Sequence, residues 1–214
     1  MNSQQITQRK ELWAEYARKL KKLFPDAHCV LTYSNNWELL VAVQLSAQCT
    51  DVMVNKVTPA LFEKYTTFDD YVLAHSHEFE QAIFKTGFYR NKTKNILAAA
   101  KMVKEKFGGK VPRTMPEILK LPGIARKSAN VILGNAYGVV EGIAVDTHVM
   151  RLSRVLGLSA EKTPEKIERD LIQIIPKKDW FVATYLLIDF GRKYCTASRH
   201  DHARCNLLLG RTSK

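Results

Sequence analysis

An all-α fold is predicted by three features of this sequence. Apolar residues recur at a helical period, Gly and Pro fall between the periodic runs, and only residues 139–145 could form a strand. That segment has no second alternating run with which to pair. With 214 residues, 46% hydrophobic and 25% charged, the composition is that of a globular chain and excludes disordered and collagen-like architectures.

The elements follow in order. Residues 12–23 place Leu12, Trp13, Tyr16, Leu20 and Leu23 close to a 3.6 period. Residues 37–47 are apolar nearly all round, which suits a buried helix. This run contains Glu38, Gln44 and Ser46 and is far shorter than the ~20 residues a bilayer requires. Residues 95–107 are amphipathic and stop at Gly108-Gly109, as helices often do. Further helices are expected over 116–121, 126–137, 147–156, 164–174 and 180–190, with turns at Pro122-Gly123, Gly138, Gly157 and Pro176.

Charge narrows the partners. Thirty-three Lys and Arg stand against 21 Asp and Glu, a net charge of +12. Such an excess favours a nucleic acid or an anionic surface, with plain solubility as the alternative. The N-terminal residues contain no apolar signal core, so a cytoplasmic, nucleoid-associated location is expected. Four cysteines are too sparse for a disulfide framework. Between Lys85 and Lys110 there are eight lysines and arginines and one acid, Glu105. This run reads either as a solvated helix face or, with Phe88-Tyr89 beside it, as a phosphate-tracking surface.

Residues 116–134 read as helix, tight turn and second helix. Gly123 permits a torsion that other residues resist and a close approach to the main chain. The amides that follow it open the second helix, where the dipole also favours an anion. A turn of this kind holds one DNA phosphate without reading sequence.

Four strings stand in order: LSAQCTD from Leu45, GFYRNKTKNI from Gly87, LPGIARKSANV from Leu121 and AVDTHVMRLSRVLGL from Ala144. Together they resemble the endonuclease III family of helix–hairpin–helix DNA glycosylases and AP lyases. The resemblance implies two helical lobes with a DNA groove between them. One is a six-helix barrel over 29–139 with the hairpin at 115–137. The other is built from 1–28 plus 140–214. It implies a monomer acting on double-stranded DNA that holds a damaged base or an abasic site, with oxidised pyrimidines as substrates and no membrane partner.

The resemblance also assigns roles. Lys127 stands at the family's nucleophile, and the helix end with Arg126 and Lys120 is expected to make its neutral amine easier to reach. Asp146 stands where the family places a carboxylate that activates the lysine and stabilises charge on the sugar; as a helix N-cap it has a second role. Gln48 and Phe88 stand at the positions that fill the gap left by an extruded nucleotide, although Gln48 also suits a helix end and Phe88 a core aromatic. Asp51 fits the first motif and a helix cap equally. Arg90, Lys92, Gly123, Ala125, Arg126 and His148 complete the expected DNA contacts.

One region departs from the family, which often holds a four-iron cluster by Cys-x6-Cys-x2-Cys-x5-Cys. Here Cys195 and Cys205 occupy the first and third positions, while His202 and Arg211 occupy the others. Two thiols do not supply the four that a cubane cluster requires, so no iron–sulfur cofactor is expected. Cys195, His200, His202 and Cys205 form a legal zinc set, but at a spacing that matches no common zinc motif. A Cys195–Cys205 disulfide is a further alternative, and Leu207, Leu208 and Leu209 could replace the staple by packing. Two rival functions remain: a glycosylase with another base preference, and a non-catalytic helix–hairpin–helix DNA-binding protein. Lys127 argues against the first, and the joint presence of Lys127 and Asp146 argues against the second.

Overall fold

The structure is a computed structural model that describes residues 2–198 and Cys205. Among the described residues the elements are helical throughout. They are α1 (Ser3–Leu23), α2 (Asn36–Leu45), α3 (Asp51–Lys64), α4 (Phe68–Leu73), α5 (Ser76–Ile83), α6 (Tyr89–Phe107), α7 (Met115–Ile118), α8 (Arg126–Tyr137), α9 (Thr147–Val155), α10 (Pro164–Ile174) and α11 (Trp180–Lys193). Short 3-10 turns, Phe84–Thr86 and Lys177–Asp179, precede α6 and α11. No described helix is long and apolar enough to cross a membrane.

The chain divides into a continuous unit, Val30–Val139, and a split unit, Met1–Cys29 with Val140–Lys214. In the continuous unit α2 is the buried centre. Leu39, Leu40, Val41, Ala42 and Leu45 are fully buried. Each such aliphatic side chain larger than Ala contributes about 1.5–3 kcal/mol by leaving water. α2 packs on α3, α6 and α8. An aromatic cluster closes the end where α2 begins, with Trp37 4.7 Å from Phe68 and 5.4 Å from Tyr71 between ring centres.

The split unit gathers α1, α9, α10 and α11 around Trp13, Tyr16, Leu20, Leu152, Leu171 and Phe190. α1 starts nine residues before the periodic stretch, because Asn2 and Gln5 form a reciprocal capping box at 2.9 and 3.0 Å.

Residues 139–145 form no strand, as the all-helical reading expects; the Ala144 carbonyl accepts from the Thr184 hydroxyl at 3.1 Å. Other expectations need correction. The helix expected over 116–121 is a single turn, α7. Lys120 and Leu121 then donate to carbonyls three residues back and tighten the chain toward the hairpin. α3, α4 and α5 lie where no helix was read. α4 and α5 are short, and α3 carries Pro59 in its interior. Their starts are fixed locally: Thr50 caps α3, and Thr67 with Asp70 forms a capping box on α4.

Candidate active site

In the continuous unit, α7 and α8 flank an exposed turn containing Gly123 and Ala125. Gly123 has φ +77°, in the left-handed region that favours glycine. Two neighbours hold this turn. Gln44, near the end of α2, donates from Nε2 to the Pro122 carbonyl at 2.9 Å. Asn95 of α6 presses against Gly123 so closely that a Cβ there would meet the Asn95 Cβ at 2.8 Å and Nδ2 at 2.9 Å.

α8 begins immediately behind the turn. Its N-cap, Ala125, offers no side-chain acceptor, so the first amides of the helix have no capping side chain. Arg126 is exposed at the first helical position, and Lys127 follows it half-buried.

Two loops of the same unit carry Gln48 and Phe88. Among the described non-glycine residues only these two adopt positive φ, +52° and +48°. Each such torsion costs of order 1–3 kcal/mol and persists only where the surroundings enforce it. Both side chains are exposed, Phe88 by 62%, which removes the alternative of a core aromatic. Arg90 is exposed beside them, its guanidinium 5.6 Å from the Tyr89 ring centre. Asp51 is the first residue of α3, and the cap is Thr50.

Lys92 overturns its assignment as a phosphate contact. It is only 6% exposed, and its ammonium donates to the Leu45 carbonyl at 2.8 Å and to the Thr86 carbonyl at 2.7 Å. Those carbonyls lie three residues before Gln48 and two before Phe88, so one buried amine ties both loops together. Burial lowers its pKa from the ordinary lysine value, and the Cys49 thiol acts in the opposite direction.

In the split unit, Asp146 caps α9. Its Oδ1 accepts the Val149 amide at 2.8 Å, and the carboxylate is half-buried. His148, two residues on, packs against α11 where Gly191 leaves room. A Cβ at Gly191 would stand 2.9 Å from His148 Nδ1 and 3.3 Å from Arg151 Nη2. Arg151 in turn donates to the Cys195 carbonyl and lies 3.5 Å from its sulfur. Cys195 and Cys205 are buried, and the Cys205 sulfur lies 3.6 Å from the Tyr194 carbonyl. His200, His202, Leu207, Leu208, Leu209 and Arg211 lie outside the described residues.

Gln44, Asn95 and Gly191 escaped the sequence reading. Gln44 is the polar side chain among the buried residues of α2, and Gly191 is an isolated glycine inside an apolar helix. Both were visible signals.

Comparison with known proteins gives a consistent result. The family model for the HhH-GPD superfamily base excision DNA repair protein matches residues 41–177. Endonuclease III of Synechocystis sp. (strain ATCC 27184 / PCC 6803 / Kazusa) is 46% identical over 202 residues, covering 94% of this chain and 92% of that protein. Endonuclease III of Bacillus subtilis (strain 168) is 48% identical over 191 residues, covering 89% and 87%. Among solved structures, a trapped endonuclease III–DNA covalent intermediate, an estranged-adenine complex, superposes with a TM-score of 0.85. It is 46% identical and covers 89% of each chain.

Proposed function

This chain belongs to the HhH-GPD superfamily of base excision DNA repair proteins, and we propose that it is a bifunctional DNA glycosylase and AP lyase of the endonuclease III kind. Its substrate is double-stranded DNA carrying a damaged base or an abasic site, with oxidised pyrimidines as the preferred bases. The observation that carries this reading is a half-buried lysine, Lys127, one residue into α8 and directly behind a hairpin braced from two sides.

The chemistry follows from these groups. The hairpin amides hold a backbone phosphate, while Phe88 wedges into the base stack and the Gln48 amide bonds the base left behind. The neutral Lys127 amine attacks C1′; the C1′–N bond breaks and the base departs with the electron pair and a proton. The sugar ring opens to a protonated imine on Lys127. That imine acidifies C2′, and loss of a C2′ proton expels the 3′ phosphate and cuts the strand. Water then releases the lysine. Asp146 helps to activate the lysine and balances positive charge on the sugar as the base leaves; its N-cap bond leaves Oδ2 for that role.

No step runs through a metal cluster. Only two thiols stand in the C-terminal region, Cys195 and Cys205, and neither His202 nor Arg211 replaces a thiolate. The residues do not fit a four-iron cluster, and the purified protein is expected to contain no stoichiometric iron.

Borohydride trapping on a duplex with one abasic site tests the reading. Wild type is expected to give a covalent adduct and Lys127→Ala none, with duplex binding kept. An adduct from Lys127→Ala would move the nucleophile elsewhere. No adduct from folded wild type would leave a monofunctional glycosylase or a binder.

A further inference from the structure

The loop that presents Phe88 carries a second ring that the repair chemistry leaves unused. Phe84, the first residue of the 3-10 turn Phe84–Thr86, is 56% exposed. A ring in water forfeits the stabilisation that burial would give, so packing does not account for it. The backbone nevertheless fixes it there. Ile83, just before it, is fully buried, and its carbonyl accepts from the Thr86 hydroxyl at 2.8 Å. The Gly87 amide donates to the Phe84 carbonyl at 3.2 Å, and the Thr86 carbonyl is one of the two held by Lys92. Phe84 and Phe88 therefore stand at either end of one hydrogen-bonded turn.

The ring has flat neighbours. Its centre lies 5.0 Å from that of Tyr89 with the planes tilted by 51°, and the Arg90 guanidinium lies 5.6 Å from the same Tyr89 ring. Half-buried Tyr89 thus joins two exposed flat groups into one array. Two features select what meets it. Lys85 and Arg90 are exposed, and no Asp or Glu stands between Glu80 and Glu105 in the chain. Rings interleaved with basic side chains suit a phosphate backbone whose bases stack on aromatic faces. The second feature is continuity. On the repair reading above, on which this inference rests, Phe88 at the other end of the turn enters the DNA base stack. An acidic peptide would answer the charge alone.

In an intact duplex both faces of each base are covered by its neighbours, so an outside ring stacks only on a base that has left the stack. A base without its pair leaves at the least cost. We propose that Phe84, joined to Tyr89, stacks on an unpaired nucleobase beside the lesion, and so makes the chain favour damage that has a mismatched neighbour.

The test uses the full chain and two duplexes, each with a tetrahydrofuran abasic analogue that forms no imine. One is fully paired around the analogue; the other has a mismatch at an adjacent pair, on each side in turn. Kd is read by fluorescence anisotropy in about 0.15 M salt, where long-range attraction is screened. A mismatch also makes DNA easier to deform, so the decisive quantity is the change between wild type and variant. Phe84→Leu keeps apolar bulk and removes the ring face. It is expected to bind the mismatched duplex about tenfold more weakly than wild type, within the range for one base–aromatic stack. Its affinity for the fully paired duplex should stay nearly unchanged, as should its urea midpoint and the slope of log K against log[salt], since no charge is removed. Phe84→Trp, which restores a ring face, should regain the mismatched duplex. Equal affinity of wild type and Phe84→Leu for that duplex overturns the inference and leaves the ring to another partner. Equal losses on both duplexes, or a Phe84→Trp as weak as Phe84→Leu, overturn it as well. Failure of folded wild type to bind either duplex instead overturns the repair reading, and this inference with it.

Discussion

Replacing Lys92 by Met separates two roles that a lysine in a basic run can play. Met keeps the length and the apolar stem but removes both bonds from the ammonium to the Leu45 and Thr86 carbonyls. Bonds from a charged donor contribute about 1.5–3 kcal/mol each. Removing the charge also removes the penalty of burying it, which offsets part of that loss. The expected net destabilisation is about 2 kcal/mol. With a urea m-value near the upper end of about 1–3 kcal/mol/M, the unfolding midpoint falls by roughly 0.7–1 M. Because the clamp holds the Gln48 and Phe88 loops, cleavage of a base-damaged duplex should fall further than cleavage of a preformed abasic site. DNA affinity should keep its dependence on salt. The reasoning fails if Lys92→Met unfolds at the wild-type midpoint while log K against log[salt] flattens by about 0.9, the signature of one lost phosphate contact.

Three further perturbations follow from the geometry. Gly123→Ala forces a Cβ onto Asn95 in a left-handed torsion, so duplex affinity should fall by at least about tenfold; an unchanged Kd by fluorescence anisotropy refutes it. Gln44→Leu leaves the Pro122 carbonyl without its donor, and should raise KM for abasic duplex by several fold with kcat kept; a loss in kcat alone contradicts a positioning role. Asp189 has its pKa raised, chiefly by burial, with Arg192 and His28 acting in the opposite direction. A carboxyl raised in the folded state binds more protons there than when unfolded. Its contribution to stability is therefore full below the unfolded pKa of about 3.9 and declines as pH rises through the raised value. Asp189→Asn should raise Tm near pH ~7, with the gain shrinking toward pH ~4; a gain independent of pH excludes this cause.

The legible parts of the fold were those with strong local signals. α2 reads as buried because it is apolar all round, and the hairpin reads from Pro122-Gly123 between two helical runs. α3 to α5 were not legible, since α3 carries a proline in its interior and α4 and α5 are short helices that look like loop until packing decides for them. Lys92 is the instructive residue. It sits in register with Ile96, Ala99 and Val103, all fully buried, at i, i+4, i+7 and i+11. That register marks the inward face of α6, whereas Lys94, Lys101 and Lys104 lie on the exposed side. Counting charges hid what the helical period would have revealed. Gly191 is a different case, because the close approach of α11 to His148 is a tertiary fact that its own sequence neighbourhood only hints at.

The left-handed torsions of Gln48 and Phe88 have a consequence for time. A repair protein inspects many sound base pairs for each damaged one, so the delay at every step multiplies along the genome. A flexible probe would have to find its shape afresh at each stop, through loop rearrangements of nanoseconds to microseconds. Here folding has already set both residues in their uncommon conformations, and one buried amine holds their loops in register. On the roles proposed for Gln48 and Phe88, the search proceeds with a finished tool, and the pace of inspection is governed by how readily the DNA itself yields.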